Sequence, residues 1–372
     1  MVTAIIICIL IILLLCAMLS GFLMFRYRRR IKFEHNPADF YEATVIIPAR
    51  DEVNNLPQLL TSLNKYEGLE IIVMDDQSTD NTKDIAKSYG VKVYDVPQNK
   101  GWSGKSYACW EGAKRAQHSL LLFLDADVRL AQRYSIEYIF HQYKHQNYRG
   151  LLTIQPYHRI SKLYENFSAI FNLMTVIGLN VFSYNATVDD EKGAFGPILC
   201  TNKADYVKTK GHYNARHSII EGFAISKAYN NMHLPVELFE GVGVADFRMY
   251  PNGLSELIGG WSKHIAAGSS ITKKSVIRLI LTWLSGSFLS LIILILAMTF
   301  NIGQILFCVA LYTIYSLQFT FFMRRIGNFN VLVLFLFHPI LFLFFIVIFA
   351  KSWIDINLLK TVKWKGRKIK TK

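Results

Sequence analysis

Two carboxylates two residues apart, at the end of an apolar run, are the most chemically pointed feature of this chain. Leu120 to Leu124 reads as a short buried strand, and Asp125-Ala126-Asp127 follows it. Acids at i and i+2 on the turn after a strand can share one divalent cation and one diphosphate, both hard oxygen partners. Upstream, Glu70 to Met74 ends in the same manner, in Asp75-Asp76. A carboxylate at that place can accept hydrogen bonds from a base N–H or from ribose hydroxyls. Together the two pairs predict a nucleotide-diphosphate site in an open α/β sheet, where ligands collect at the carboxyl ends of strands.

Two further stretches bear on that site. Val45-Ile46-Ile47-Pro48-Ala49-Arg50-Asp51-Glu52 opens the predicted sheet. A strand ending in proline gives up a ladder donor, and the polar loop after it, with Pro48, Arg50 and Glu52, is either a contact to base or diphosphate or a plain strand-to-helix turn. Gly101-Trp102-Ser103-Gly104-Lys105-Ser106 lacks the spacing of a Walker phosphate loop. A single lysine, Lys105, at a helix start beside a diphosphate remains. Ser78 and Asp80 serve as helix caps, which leaves the adjacent acids Asp75 and Asp76 still to be explained. His212, His217 and His264 have no metal-ligand spacing and take surface or packing roles. The five cysteines form no C-x-x-C pair, which predicts reduced structural thiols with neither a disulfide framework nor a zinc site.

The elements that must position these residues are legible from periodicity. Strands are predicted at Ala43 to Ile47, Glu70 to Met74, Val91 to Val96 and Leu120 to Leu124. Helices are predicted at Leu56 to Asn64, Thr82 to Tyr89 and Lys105 to Gln117. Strands alternating with helices imply a parallel sheet. Beyond Gly150 the pattern loosens into Leu151 to Gln155, an apolar stretch Phe167 to Phe182 and a glycine-rich segment from Gly193 to Gly211. Phe167 to Phe182 is too short and interrupted for a span, and reads as an interfacial segment guiding an apolar substrate or as a core helix.

Of the 372 residues, 52% are hydrophobic and 18% charged, and the mean hydropathy is +0.25. That mixture requires a globular part plus membrane segments. Residues 1–25 form an uncleaved N-terminal anchor, since Ala4 to Phe25 carry no charge and Arg26-Tyr27-Arg28-Arg29-Arg30 follows. By the positive-inside tendency, the domain at residues 40–270 faces the cytoplasm. Residues 279–350 form a C-terminal membrane region of two to three apolar segments, with a turn at Asn301-Ile302-Gly303-Gln304, and residues 351–372 form a basic tail. A fourth full crossing would put that tail outside, against the same tendency. His338-Pro339 interrupts the last run, so a re-entrant hairpin stands beside the fourth crossing. The net charge of +14 gathers beside the apolar runs. It predicts contact with anionic lipid headgroups in a multi-pass cell-membrane protein, and no nucleic-acid partner.

The segments VIIPARDE, IIVMDDQSTD, GKSYACWEGAK and LLFLDADV, in this order, resemble the GT-A nucleotide-sugar glycosyltransferases of family 2 over roughly residues 43–265. The stretches QPYH, FSAIFNLMTVIGLNVFS, AFGPILCTNKADY, IIEGFA and WKGR are similar to one branch of that family, membrane-bound enzymes that glycosylate a carotenoid acid. The resemblance implies a Rossmann-like GT-A nucleotide-sugar-binding domain flanked by N-terminal and C-terminal transmembrane helices. It also implies an inverting transfer of glucose from UDP-glucose to the carboxylate of a carotenoid acid, alongside other carotenoid pathway enzymes. Carried over to this sequence, Asp75 and Asp76 contact the uridine, and Asp125 and Asp127 bind Mg²⁺ or Mn²⁺ at the diphosphate. Asp127 and Glu221 are the catalytic candidates, and Trp261 is the acceptor candidate. The same chemistry on another membrane lipid, such as a polyprenyl phosphate, diacylglycerol or sterol-like alcohol, is the alternative.

Two departures from the family pattern matter. Where family 2 enzymes carry an acidic pair that supplies a base, this chain has Glu221-Gly222. A hydroxyl acceptor needs that base, whereas a carboxylic acid, with a pKa near ~4.3, is already ionised at neutral pH. The missing acid therefore fits ester formation, with Glu221 positioning substrate; the competing reading keeps Glu221 as the base. In place of Q-x-x-R-W, Leu257-Ile258-Gly259-Gly260-Trp261 keeps only the tryptophan, which disfavours a polymer synthase. Trp261 then stacks on sugar or acceptor, or anchors at the interface.

Overall fold

The computed structural model describes residues 2–33, 41–99, 101–184, 186, 192–218, 220–297, 301–358, 361–364 and 367–370. In chain order the helices used below are α1 (Val2–Met24), α2 (Leu56–Leu63), α3 (Thr82–Ser88), α4 (Lys105–Arg115), α5 (Ser135–Lys144), α6 (Ala169–Gly178), α7 (Lys203–Lys208), α8 (Glu221–Asn230), α9 (Leu254–Ile271), α10 (Lys274–Ala297), α11 (Ile302–Ile326) and α12 (Val331–Asn357). The strands are β1 (Ala43–Ala49), β2 (Leu69–Asp75), β3 (Lys92–Asp95), β4 (Leu120–Leu124), β5 (Val128–Leu130), β6 (Leu151–Gln155), β7 (Tyr157–His158), β8 (Ile198–Asn202), β9 (Val236–Glu240) and β10 (Ala245–Phe247). Two compact units interleave along the chain: residues 29–157 with 189–248, and residues 1–28 with 158–188 and 249–372. The sequence had suggested one domain over 40–270; residues 158–188 and 249–270 instead group with the apolar helices.

The first unit is built on a seven-stranded sheet in the order β3-β2-β1-β4-β8-β6-β9. Alternate residues of the central strands serve opposite faces, as a pleated strand dictates. Val45, Ile47, Val73, Leu122 and Leu124 pack with Leu56, Leu59, Leu60 and Leu63 of α2 and with Ile139, Phe140 and Tyr143 of α5. Ile46, Ile72, Met74, Leu121 and Phe123 pack with Ala108, Cys109 and Ala113 of α4. Burial on both faces explains why these strands read as continuous apolar runs. Gly112 lets α4 lie close on the sheet, since a Cβ there would meet Ile46 Cγ2 at 2.5 Å.

One expectation changes. β1 pairs in parallel with β2 and β4, and β2 with β3, but β8 runs antiparallel between β4 and β6. The sheet is mixed: the connection from β6 to β8 leaves the sheet through residues 158–188, and β8 returns antiparallel to both of its neighbours.

The second unit holds, among the described residues, four helical segments long and apolar enough to cross a membrane: Ile5–Met24, Lys274–Ala297, Ile302–Ile326 and Val331–Asp355. The predicted turn at 301–304 is an N-cap, where Asn301 Oδ1 accepts from the Gln304 N–H at 3.0 Å. α1 seats against α10 through small residues. A Cβ on Gly21 would meet Trp283 Nε1 at 2.6 Å, and one on Gly286 would meet the Ala17 Cβ at 2.8 Å, the close approach that small residues give membrane helices. Arg325 ends α11 by donating to the carbonyls of Phe25 and Tyr27, each at 2.9 Å. Phe337 breaks the helical backbone of α12 just ahead of His338 and Pro339. His338 is fully buried, with Nδ1 2.5 Å from Ser287 Oγ and Nε2 3.0 Å from Ser316 Oγ. Of the basic tail, Lys365 lies outside the described residues.

The interfacial reading of Phe167 to Phe182 gives way to the core-helix one. Eight of the ten residues of α6 are buried, Asn172 included, and its Nδ2 donates to the Ile326 carbonyl at 3.4 Å.

Candidate active site

Pairing β2, β1 and β4 side by side brings the ends of three strands together, and with them the predicted site residues. Ala49 and Asp75 are register partners at the ends of β1 and β2, and the Asp76 N–H donates to the Ala49 carbonyl at 2.8 Å. Pro48 is the last-but-one residue of β1, opposite Met74. The chain turns outward from β1 to β2 and β3 on one side and then to β4 on the other, so these ends flank a topological switch point, where open α/β sheets bind ligands.

The two loops after β1 and β2 are laced together. Arg50 Nη1 donates to the Asp76 carbonyl oxygen at 3.2 Å and lies 3.6 Å from the Asp76 carboxylate. Asp51 Oδ1 accepts from the Thr79 N–H at 2.7 Å and from its hydroxyl at 3.1 Å, while the Asp51 N–H donates to Ser78 Oγ at 3.1 Å. Asp51 holds this position with φ of 53°, a conformation that aspartate tolerates better than most residues. The Glu52 N–H donates to Thr82 Oγ1 at 2.7 Å, and its carboxylate accepts from Asn55 Nδ2 at 2.8 Å. Asp75 is 5% exposed. Its Oδ2 accepts from the Ser78 N–H at 3.3 Å, and its Oδ1 has no hydrogen-bond partner among the described residues. A buried carboxylate oxygen left this way suits an incoming donor such as a base N–H or a hydroxyl.

Beyond β4, the Asp125 N–H donates to the Pro197 carbonyl at 3.0 Å. Lys105, the first residue of α4, places its ammonium 2.8 Å from Asp125 and 3.3 Å from the Gly196 carbonyl oxygen, and in contact with the Glu221 carboxylate. Burial works against the charge of Lys105, but Asp125 and Glu221 outweigh it and hold the ammonium protonated well above the usual lysine range. Asp127 goes the other way: burial, then the charges of Asp125 and Glu52, push its carboxyl up to about 7. Carboxylates crowded until one holds its proton form a pair that a divalent cation would relieve. No cage of three or more His, Cys, Asp or Glu side chains exists among the described residues. Two carboxylates with phosphate oxygens and water completing the shell is how Mg²⁺ is commonly held, so the residues present fit such an ion.

Glu221 begins α8 and sits under Gly196, whose Cβ would lie 2.7 Å from Glu221 Oε1. The neighbouring glycine has a steric reason. A Cβ on Gly222 would stand 2.1 Å from the Ala194 carbonyl oxygen, so backbone occupies the place where the resemblance led one to expect a second acid. This backbone has no room for a side chain at position 222.

Trp261 was expected at the sugar, the acceptor or the interface, but the structure gives it a packing role.

 The Trp261 ring is 4% exposed, its indole N–H donates to Ser168 Oγ at 2.9 Å, and it stacks on Phe171 with centroids 5.2 Å apart. His212 likewise belongs to the core. It is 1% exposed and packed on Phe123 and Tyr206, and burial, with Lys105 nearby, lowers its pKa to about 3. Sequence reasoning overlooked Asp51, Gly196 and Arg129. The Arg129 guanidinium binds Asn55 Oδ1 at 3.0 Å and the Ala126 carbonyl at 3.3 Å. Asp51 lies inside the motif that opens the sheet, but only its pairing with Thr79 reveals its task.

With this geometry in view, comparisons with known proteins fall into place. The sequence profile described as glycosyl transferase family 2 matches residues 44–190. The 4,4'-diaponeurosporenoate glycosyltransferase of Staphylococcus aureus (strain USA300) is 42% identical over 357 residues, 94% of each chain. The enzyme of the same name from Staphylococcus haemolyticus is 43% identical over 362 residues, 96% of each. Among solved structures, a mannosyltransferase from Pyrobaculum calidifontis in complex with GDP-Man and Mn²⁺ aligns with a TM-score of 0.55 at 12% identity, over 95% of this chain and 99% of that one. The sheet is that of a GT-A glycosyltransferase fold. The chain belongs to glycosyl transferase family 2. It is a glycosyltransferase that draws on a nucleotide sugar, and its four apolar helices fit association with a membrane.

Proposed function

We propose that the chain moves glucose from UDP-glucose to the carboxylate of a carotenoid acid, 4,4'-diaponeurosporenoate or a close analogue, giving a glucosyl ester. The observation that carries this reading is the end-to-end identity with two enzymes named for that acceptor. In this reading Asp75 and Asp76 receive the uridine, and the Pro48, Arg50 and Glu52 loop closes beside it. Asp125 and Asp127 would hold Mg²⁺ or Mn²⁺, which when bound neutralises charge gathering on the leaving diphosphate. Lys105 offers a second positive charge at the same place. The acceptor oxygen attacks the anomeric carbon from the face opposite UDP, and the broken bond leaves its electron pair on the β-phosphate oxygen, so the configuration inverts. An ionised acid needs no proton removed at neutral pH. Glu221, whose carboxylate is already occupied by Lys105, then positions the site. The catalytic unit faces the cytoplasm, where UDP-glucose is found, and the acceptor arrives from the bilayer, supplied by enzymes that oxidise a polyene to its acid.

The test is UDP release from UDP-glucose by membranes containing the protein, with Mn²⁺ or Mg²⁺, comparing a polyene carboxylic acid with its alcohol. Release with the acid alone, lost in Asp127→Ala, supports the proposal. Release with the alcohol, or with another lipid only, moves the acceptor to a different class.

A further inference from the structure

The two ends of α12 are tied to two segments that are themselves bonded to each other. At its start, the Asn330 N–H donates to Asn166 Oδ1 at 2.8 Å. Near its end, Ser352 Oγ donates to the Ser262 carbonyl at 2.5 Å. Ser262 follows Trp261, whose indole N–H reaches Ser168, two residues from Asn166. A straight helix rising ~1.5 Å per residue would carry Ser352 roughly 33 Å from Asn330, the full depth of a hydrocarbon core. The ties leave no room for that separation unless every link in them were stretched along one line. The bend has a cause on the page: Phe337 leaves the helical conformation ahead of Pro339.

The level of α9 fixes where α12 comes back to. At the amino end of α9, the carbonyls of Tyr250 and Pro251 accept from Tyr164 Oη and Lys162 Nζ. That stretch is held to the α11–α12 turn, where the Ile160 N–H donates to Asn328 Oδ1 at 2.6 Å. At its carboxyl end α9 passes through Thr272 and Lys273 into α10, and Gly178 of α6 packs on Thr272. Both ends therefore lie at the charged end of the bundle, beside Lys273, Lys274 and Arg324, and α9 lies along that interface. The second half of α12 packs on the same layer: Phe344 meets Phe167 with centroids 4.4 Å apart, and Phe345 meets Phe171 at 5.1 Å. Its opposite side exposes Leu343, Ile346, Val347 and Ile354, an apolar stripe suited to acyl chains at an interface.

We infer that α12 does not cross the membrane but enters as far as His338 and returns along α9, so that Lys351 and Leu358 lie on the same side as Arg26, Lys274 and Arg324. The membrane then has three crossings, by α1, α10 and α11, and every basic cluster meets the headgroups of one leaflet. This arrangement agrees with the positive-inside tendency that a fourth crossing would breach.

Single cysteines at Gly303→Cys, in the α10–α11 turn, and Leu358→Cys, past the end of α12, test it in the full-length protein. A membrane-impermeant maleimide applied to intact cells should label one and not the other, and permeabilisation should make both reactive. Equal labelling of the two in intact cells overturns the inference. Protease removal of a C-terminal epitope tag, compared in right-side-out and inside-out vesicles against cleavage at a site inserted at Gly303, decides the matter if labelling is weak at either position. Opposite accessibility upholds the return, and matching accessibility shows a crossing.

Discussion

The ammonium of Lys105 rests against the carboxylate of Glu221, joining the first turn of α4 to the first turn of α8, and on its other side lies 2.8 Å from Asp125. One cation thus bridges the acid that follows β4 and the acid that opens α8. Lys105→Met should lower kcat/KM for the nucleotide sugar by ~10²- to 10³-fold, the usual effect of deleting one preorganised electrostatic contact. UDP-release kinetics check this, and a loss of only a few-fold would remove Lys105 from the machinery.

Gly222→Ala forces a methyl group toward the Ala194 carbonyl, where 2.1 Å is available. Overpacking of this kind costs about 1 to 3 kcal/mol, so the denaturant midpoint in detergent should fall. Gly222→Asp should fall at least as far and gain no activity on alcohol acceptors. Alcohol-directed transfer by the aspartate variant would mean that chemistry, not space, keeps the glycine.

His212 makes stability depend on pH. Burial first, and the Lys105 charge second, lower its folded pKa to about 3, against an unfolded value near ~6.5. Between those values the unfolded chain binds the extra proton, so stability is complete above ~6.5 and declines as the pH falls toward 3. The decline can reach about 2 kcal/mol by pH ~5, at 1.36 kcal/mol per unit. Urea unfolding of wild type and His212→Gln at both pH values checks this: the variant should show a shallower acid limb, and an unchanged slope would refute the assignment.

Gly21→Leu should unseat α1 from α10, because even a Cβ there lies 2.6 Å from Trp283 Nε1. The Trp283 bond to Gln318, at 3.1 Å, would go with it. A lower melting temperature in detergent is expected, whereas Ile12→Leu, on an exposed face of the same helix, should leave it unchanged.

The strands that carry the acids were readable because each is apolar on both faces and ends abruptly in charge, as at Leu124-Asp125 and Met74-Asp75-Asp76. The direction of β8 was not, because Ile198–Asn202 has the same composition whichever way it runs, and only its pairing with Leu120–Leu124 decides. Trp261 and α6 misled for a related reason. An aromatic or apolar residue near membrane segments looks alike in sequence whether it faces lipid, ligand or a neighbouring helix, and Ser168 and Phe171 settle it. Asp51 was passed over because its role lies in a loop-to-loop bond with Thr79, which no local spacing encodes. The glycine at 222 invited a chemical explanation, and only the fold shows that the Ala194 carbonyl oxygen also fills the space beside it.

The segment leading into β8 carries a consequence for how this enzyme can change. Pro197 holds the Asp125 turn through its carbonyl, Gly196 covers Glu221 and accepts from Lys105, and Ala194 bars a side chain at Gly222. Three residues within one four-residue stretch thus act as a common rail for Asp125, Lys105 and Glu221. A substitution along this rail cannot move one of these three groups while leaving the other two untouched, so a shift in one should arrive together with shifts in the others.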